Sequence, residues 1–334
     1  MAGVPPFAVD PVIDVPFQIS GSDTVGTAGS CFAQNIARAL ERKGFRYFVT
    51  EPAPPDLSRE AALEANYGIF SARYGNIYTT RQLVQLFDRA YGAFTPALSS
   101  WRLASGAYAD PFRPRIQPGG FASEAGLLAD RARHFACVRR LFETLDVFVF
   151  TLGLTEGWEY RPDRAALPLA PGVAGGEWDP ELYEFRNYPV AEVERDLAGF
   201  IERLRGVNPA SRIILTVSPV PLIATYEPRH VLASTCLSKS VLRVAAEACA
   251  SRYSNVCYFP AFEIITGPHS GGRYFEDDLR SVTKTGVDHV MRVFFSHFAQ
   301  ASELPENGNG NPHHLRAELD ALKEIVCDEE ALDG

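Results

Sequence analysis

A cysteine set among small residues at the end of an apolar run is the first feature of this sequence that could do chemistry. Gly29-Ser30-Cys31-Phe32-Ala33-Gln34 follows the apolar stretch that begins at Thr24 and opens a helical pattern. The thiol is therefore expected where a helix presents its unpaired backbone N–H groups. That setting lowers a thiol pKa, and the same N–H groups can hold the oxyanion of an acyl-transfer intermediate. The competing reading is that Cys31 is a small buried hydrophobe. The other five cysteines, Cys137, Cys236, Cys249, Cys257 and Cys327, form no C-x-x-C pair, and no His or Cys cluster has zinc-ligand spacing, so neither a disulfide framework nor a structural metal is expected.

Positioning such a cysteine requires a strand that ends under it and a helix that starts beside it. Four apolar segments of strand length, Thr24 to Ala28, Val147 to Leu152, Arg212 to Val217 and Val256 to Phe259, read as strands of a buried parallel sheet. Helical patterns lie between and after them: Phe32 to Lys43 closed by Gly44, Thr80 to Ala90, Glu124 to Glu143, Val190 to Leu204, Ser238 to Arg252 and Thr285 to Phe298. This order predicts a three-layer α/β/α sandwich with a central, mostly parallel sheet, whose ligands sit beyond the carboxyl ends of the strands. Two long loop insertions, Tyr91 to Gly120 and Glu159 to Pro189, are expected to leave from that edge and to act as lids or binding loops. Trp101, Tyr108, Trp158, Tyr160 and Trp178 within or beside them offer either a stacking surface or core packing.

Composition bounds the partners. The chain has 334 residues, 46% hydrophobic content and a net charge of −9, with no basic run to neutralise phosphates, which argues against nucleic acid and anionic membrane. Residues Met1 to Asp10 lack a signal-peptide pattern and no apolar run reaches the ~18 residues of a membrane span, so a cytoplasmic protein is expected. No Gly-rich phosphate loop appears, and no cofactor is expected. The sequence divides into a domain over residues 16–300 and an acidic, polar tail over 301–334 with one amphipathic stretch, His314 to Val326.

Five ordered blocks carry a family resemblance. Gly29 to Ala33 spells the motif that names the GSCFA family, which resembles the SGNH or GDSL hydrolases. Gly75-Asn76-Ile77-Tyr78 is similar to that family's second block and Thr151-Leu152-Gly153-Leu154-Thr155-Glu156 to its third. Ser218-Pro219-Val220-Pro221 with Ser238-Lys239 is similar to the fourth, and Asp278-Leu279-Arg280-Ser281 falls where the closing block belongs. The resemblance spans Pro16 to Phe298 and implies an SGNH-hydrolase-like sandwich in which Cys31 replaces the serine nucleophile. It implies that the Cys31 and Gly75 N–H groups and the Thr155 side chain serve the oxyanion, that Asn76, Glu156, Ser218 and Ser281 contact substrate, and that Asp278 belongs to the catalytic set. The reaction implied is acyl hydrolysis or acyl transfer through a thioester, on an O-acylated sugar or polysaccharide precursor.

Related hydrolases close with Asp-x-x-His, and Ser281 stands here in place of that histidine, so the base has moved, the thiolate needs none, or the protein is not a catalyst. His289 is the nearest replacement in sequence, roughly 12 Å further along a helix; His269 and His230 lie on loops that could swing toward the same edge. The alternative function is a catalytically silent protein that keeps the pocket for a glycan or acyl ligand.

Overall fold

Three apolar runs form the middle of a five-stranded parallel sheet in a computed structural model that describes residues 4–300. Strands β1 (Thr24–Gly29), β5 (Val147–Leu152) and β9 (Arg212–Val217) lie side by side, with Gly29 opposite Thr151 and Thr151 opposite Thr216. Short strands β2 (Arg46–Tyr47) and β10 (Val256–Tyr258) close the two edges, giving the order β2-β1-β5-β9-β10. All six residues of β5 are buried, as a strand covered on both faces demands, which is why its run VFVFTL does not alternate with polar residues.

Side chains leave the two faces alternately. Phe148, Phe150 and Leu152 enter one apolar cluster, with residues of α3 (Thr80–Ala90), α4 (Glu124–Thr144), α5 (Val190–Val207) and α6 (Val231–Arg252). Val147 and Val149 enter the other, with α1 (Ala33–Arg42), α7 (Ala261–Thr266) and α8 (Lys284–Phe298). The result is the expected three-layer α/β sandwich. Local signals set many helix ends. Gly44 adopts φ +79° just past α1, and Thr79 with Gln82 forms a capping box at α3. The short helix α2 (Arg59–Glu64) is capped by Ser58.

Both insertions contain strands, although the first is mostly turns and coil. The first contains a two-stranded hairpin, β3 (Trp101–Arg102) with β4 (Tyr108–Ala109). The second carries β6 (Glu156–Tyr160), β7 (Ala165–Leu167) and β8 (Tyr183–Asn187), an antiparallel sheet ordered β7-β6-β8. Only the second leaves from the carboxyl edge. The first departs from the opposite side, since α3 runs down from that edge and ends where Tyr91 donates to Glu143 in the last turn of α4, just before the amino end of β5. It then climbs back and packs on the second insertion: Trp101 Nε1 donates to the Tyr183 hydroxyl at 3.0 Å within a small apolar cluster of both segments. No helix among the described residues is long and apolar enough to cross a membrane. The tail over 301–334, with its stretch His314 to Val326 and Cys327, lies outside the described residues.

Candidate active site

Four of the five blocks meet at the carboxyl ends of β1, β5 and β9. The Ile77 N–H donates to Gly29 O at 2.8 Å, which lays the second block beside the turn after β1. Gly153 and Leu154 donate their N–H groups to Tyr78 O at 3.2 and 2.8 Å, joining the third block to the second. From the fourth, Ser218 N–H donates to Leu152 O at 2.8 Å, the Ser238 hydroxyl accepts from Thr155 N–H at 3.0 Å and Lys239 Nζ donates to Gly153 O at 2.7 Å. Asn76 Oδ1 accepts from Gln34 Nε2, in the first turn of α1, at 3.4 Å.

Cys31 is buried in the turn between β1 and α1 and forms no disulfide with any described residue. The helix begins two residues later, at Ala33, and its leading N–H groups are already used. Ala33, Gln34 and Asn35 donate to Ser30 O, Cys31 O and Phe32 O at 2.8, 3.1 and 3.1 Å, in the i→i−3 pattern of a tightened first turn. The expectation that unpaired N–H groups of α1 surround the thiol is corrected accordingly. Two other backbone donors on the segments joined here are uncommitted: the N–H groups of Phe32, which follows Cys31, and of Gly75 make no hydrogen bond among the described residues. Gly75 sits at φ +72°, a conformation that a side chain would strain. Ser30 Oγ, Thr151 Oγ1 and Thr216 Oγ1 are also buried without a partner among the described residues, which leaves a strip of unsatisfied hydroxyls along this edge.

Other expected site residues act as ties. Thr155 is buried and its hydroxyl donates to Asn187 Oδ1 at 2.8 Å, so its one hydroxyl proton is not offered to an oxyanion in this arrangement. Asn187 in turn donates to Glu227 Oε1 at 2.9 Å. Glu156 accepts from the Thr225 hydroxyl at 2.7 Å and from Tyr226 N–H at 3.4 Å; burial outweighs these bonds and raises its pKa. Ser218 Oγ accepts from Val220 N–H at 3.3 Å and stiffens the turn after β9.

The closing block carries no base. Asp278 is exposed and is used by its own turn, accepting from the Arg280 and Ser281 N–H groups at 2.8 Å each and from the Ser281 hydroxyl at 2.5 Å. His289 is buried in the layer of α7 and α8. Its Nδ1 meets the Tyr274 hydroxyl at 2.6 Å and its Nε2 meets Val9 O at 2.8 Å, so both ring nitrogens are occupied and neither is offered to the Cys31 sulfur. Burial lowers its pKa. His269 packs against His289, their ring centroids 6.3 Å apart. His230 is the N-cap of α6, where its Nδ1 accepts from Leu232 N–H at 3.1 Å; that helix starts seven positions before the expected Ser238.

Of the aromatics singled out in the sequence, Trp101 is core, whereas Trp158 is the centre of an open cluster with Trp178, Phe185 and Tyr226. Trp178 and Tyr226 are 52% and 53% exposed. The cluster adjoins the site through Glu156, which begins the same strand as Trp158 and holds the loop bearing Tyr226. Lys239 belongs to the fourth block, but the sequence gives it no role. It shares one buried stripe of α6 with Leu242, Ala246 and Cys249, and a lysine on a core-facing stripe was the available signal. No group of three or more His, Cys, Asp or Glu able to hold a metal occurs among the described residues.

A solved structure similar to this chain is a carbohydrate esterase family 2 enzyme with its carbohydrate-binding domain from Corynascus thermopiles (Myceliophthora fergusii). It is 13% identical, with 84% of this chain and 68% of that chain covered and a TM-score of 0.31, a likeness too loose to bear on chemistry. No curated protein matches the chain. The family model of the GSCFA family matches residues 24–294, most of the sequence and all five blocks, and the chain belongs to the GSCFA family.

Proposed function

We propose that this protein is an acyl hydrolase or acyltransferase with Cys31 as its nucleophile. The observation that carries the reading is the pair of uncommitted backbone donors, Phe32 N–H and Gly75 N–H, on two loops that Ile77 N–H and Gly29 O tie together, one of which bears the thiol. Two such donors are what an acyl-transfer oxyanion requires. The Cys31 thiolate adds to the carbonyl carbon of an ester, the carbonyl oxygen becomes the oxyanion, and collapse breaks the C–O bond. The leaving alkoxide takes a proton from water. Water, or the hydroxyl of an acceptor, then attacks the thioester and returns the thiol. A cysteine can dispense with a fixed base because a few per cent is thiolate at neutral pH. An O-acylated sugar suits the open rings of Trp158, Trp178 and Tyr226, which offer stacking faces beside polar groups.

The test is acid quenching of the protein with p-nitrophenyl acetate, followed by peptide mass spectrometry. An acetylated Cys31 peptide, and loss of turnover in Cys31→Ala at unchanged thermal stability, are expected. Turnover retained by Cys31→Ala rules the reading out. A second reading, a catalytically silent protein that binds a glycan or acyl ligand, is favoured by the closing block: Asp278 and Ser281 are bonded to each other and both nitrogens of His289 are occupied. It predicts binding of an acylated oligosaccharide without any acyl-cysteine.

A further inference from the structure

A cavity behind Asn76 has an excess positive charge. It lies between α3 and the junction of the two insertions, lined by Tyr74, Asn76, Arg89, Phe112, Arg113 and Ala166 among others, with a volume of about 20 Å³. One water needs ~10–15 Å³ on this measure, so the space has room for one or two waters or for the head of a carboxylate, and for no sugar ring. Beside it is a buried ionic cluster. Arg73 pairs with Glu51 and Asp130, Arg113 with Asp110 and Asp130, and Arg131 with Asp110. Glu51 also holds His134, which burial and the Arg113 charge keep neutral at pH 7. With Arg89 added, four guanidiniums face three carboxylates, and Arg89 is the one left over. Its guanidinium carbon lies 4.1 Å from the Phe112 ring centroid; its Nε donates to Gln85 O at 3.4 Å, and no described carboxylate lies within ion-pair distance of it. Its two terminal nitrogens donate to nothing among the described residues. A guanidinium that is largely desolvated, stacked on an aromatic ring and supplied with a cavity lacks only an anion.

We propose that this cavity binds a small carboxylate, held by the terminal nitrogens of Arg89 over the Phe112 ring. The planar fork of Arg89 matches a carboxylate in two parallel hydrogen bonds, and the occupant brings the buried cluster to neutrality. The site is separate from the sulfur of Cys31 and does not depend on that residue's being a nucleophile. It shares Asn76 with the second block, so an occupant also props the segment that carries Gly75.

The experiment is thermal unfolding in sodium acetate against sodium chloride at equal ionic strength and pH 7.5, with sodium phosphate as a third arm. The protein as it stands should melt a few degrees higher in acetate than in chloride, and Cys31→Ser should behave alike. Arg89→Gln should lose the difference, and so should Ala166→Leu, which fills the cavity and leaves every charge in place. Should Arg89→Gln fail to fold, saturation-transfer NMR of acetate with the unaltered protein and with Ala166→Leu decides the matter. A signal confined to the unaltered protein supports the site; equal signals, or equal melting in acetate and chloride, overturn it. A rise in phosphate that exceeds the rise in acetate overturns the choice of a carboxylate.

Discussion

Replacing Gly29 with alanine should damage the sheet itself, although the residue stands two positions from the candidate nucleophile. Gly29 has φ +138°, and a methyl group there would fall 2.2 Å from Thr151 O and 2.8 Å from Thr151 N, both backbone atoms of the neighbouring strand. Relief requires β1 and β5 to part by roughly 1 Å, since ordinary contact begins near 3.4 Å. That separation sacrifices the Ser30 N–H to Thr151 O bond, now 3.2 Å, whose loss costs about 1 kcal/mol and more if the carbonyl is left buried. Backbone strain adds about 1–3 kcal/mol, so the expected loss is about 2–4 kcal/mol. Gly26→Ala is the control: its methyl would sit 3.1 Å from Leu141 Cδ1 and 3.3 Å from Leu145 Cδ2, side-chain ends that can move, at a cost of about 1 kcal/mol. Urea unfolding of the two variants beside the unaltered protein measures both. If Gly29→Ala loses no more stability than Gly26→Ala, the argument that this glycine is fixed by the approach of Thr151 fails.

Acid should unfold the protein in two overlapping stages. His134 is pushed by burial, and by the Arg113 charge, from 6.5 to about 4. Its Nε2 has no partner among the described residues to receive a second ring proton. Burial raises the Glu51 carboxyl, but the His134 hydrogen bond and the His134 and Arg113 charges outweigh it and bring it from 4.5 to about 2. In both cases the unfolded chain binds the proton first, so stability is full above pH 6.5 and falls as pH drops, through His134 down to about 4 and through Glu51 below 4.5. The His134 contribution is about 3 kcal/mol, and His134→Gln should flatten the decline between pH 6.5 and 4 in urea titrations; an unchanged slope refutes the assignment. Among the cysteines, burial raises Cys249 to about 11 and Cys257 to about 12, and raises Cys137 as well, so iodoacetamide at pH 7.5 should spare these three. Cys236 is exposed and serves as the internal reference. Cys31 should react with a pH midpoint below that of Cys236, read peptide by peptide; a midpoint at or above it makes Cys31 a packed core residue.

The sequence by itself determined the sheet and most of its helices. A run such as VFVFTL, apolar at every position, can be satisfied only between two layers, and Gly44 and the Thr79–Gln82 box mark helix ends through bonds that span three or four residues. It also brought the five blocks into order and singled out Cys31. Tertiary structure decided what surrounds the thiol. The leading N–H groups of α1 are consumed by a tightened turn, Thr155 is tied to Asn187, and His289 is locked between Tyr274 and Val9, a partner 280 positions away. The three-stranded sheet over Glu156–Asn187 stayed hidden because its strands pair only with each other, and proline and glycine between them read as loop. The leftover charge of Arg89 was equally invisible, since the carboxylates that neutralise its neighbours come from three separate segments at Glu51, Asp110 and Asp130. Periodicity and capping act over one or two turns and are written locally. Hydrogen-bond commitments and the balance of buried charge belong to contacts that exist only once the layers close.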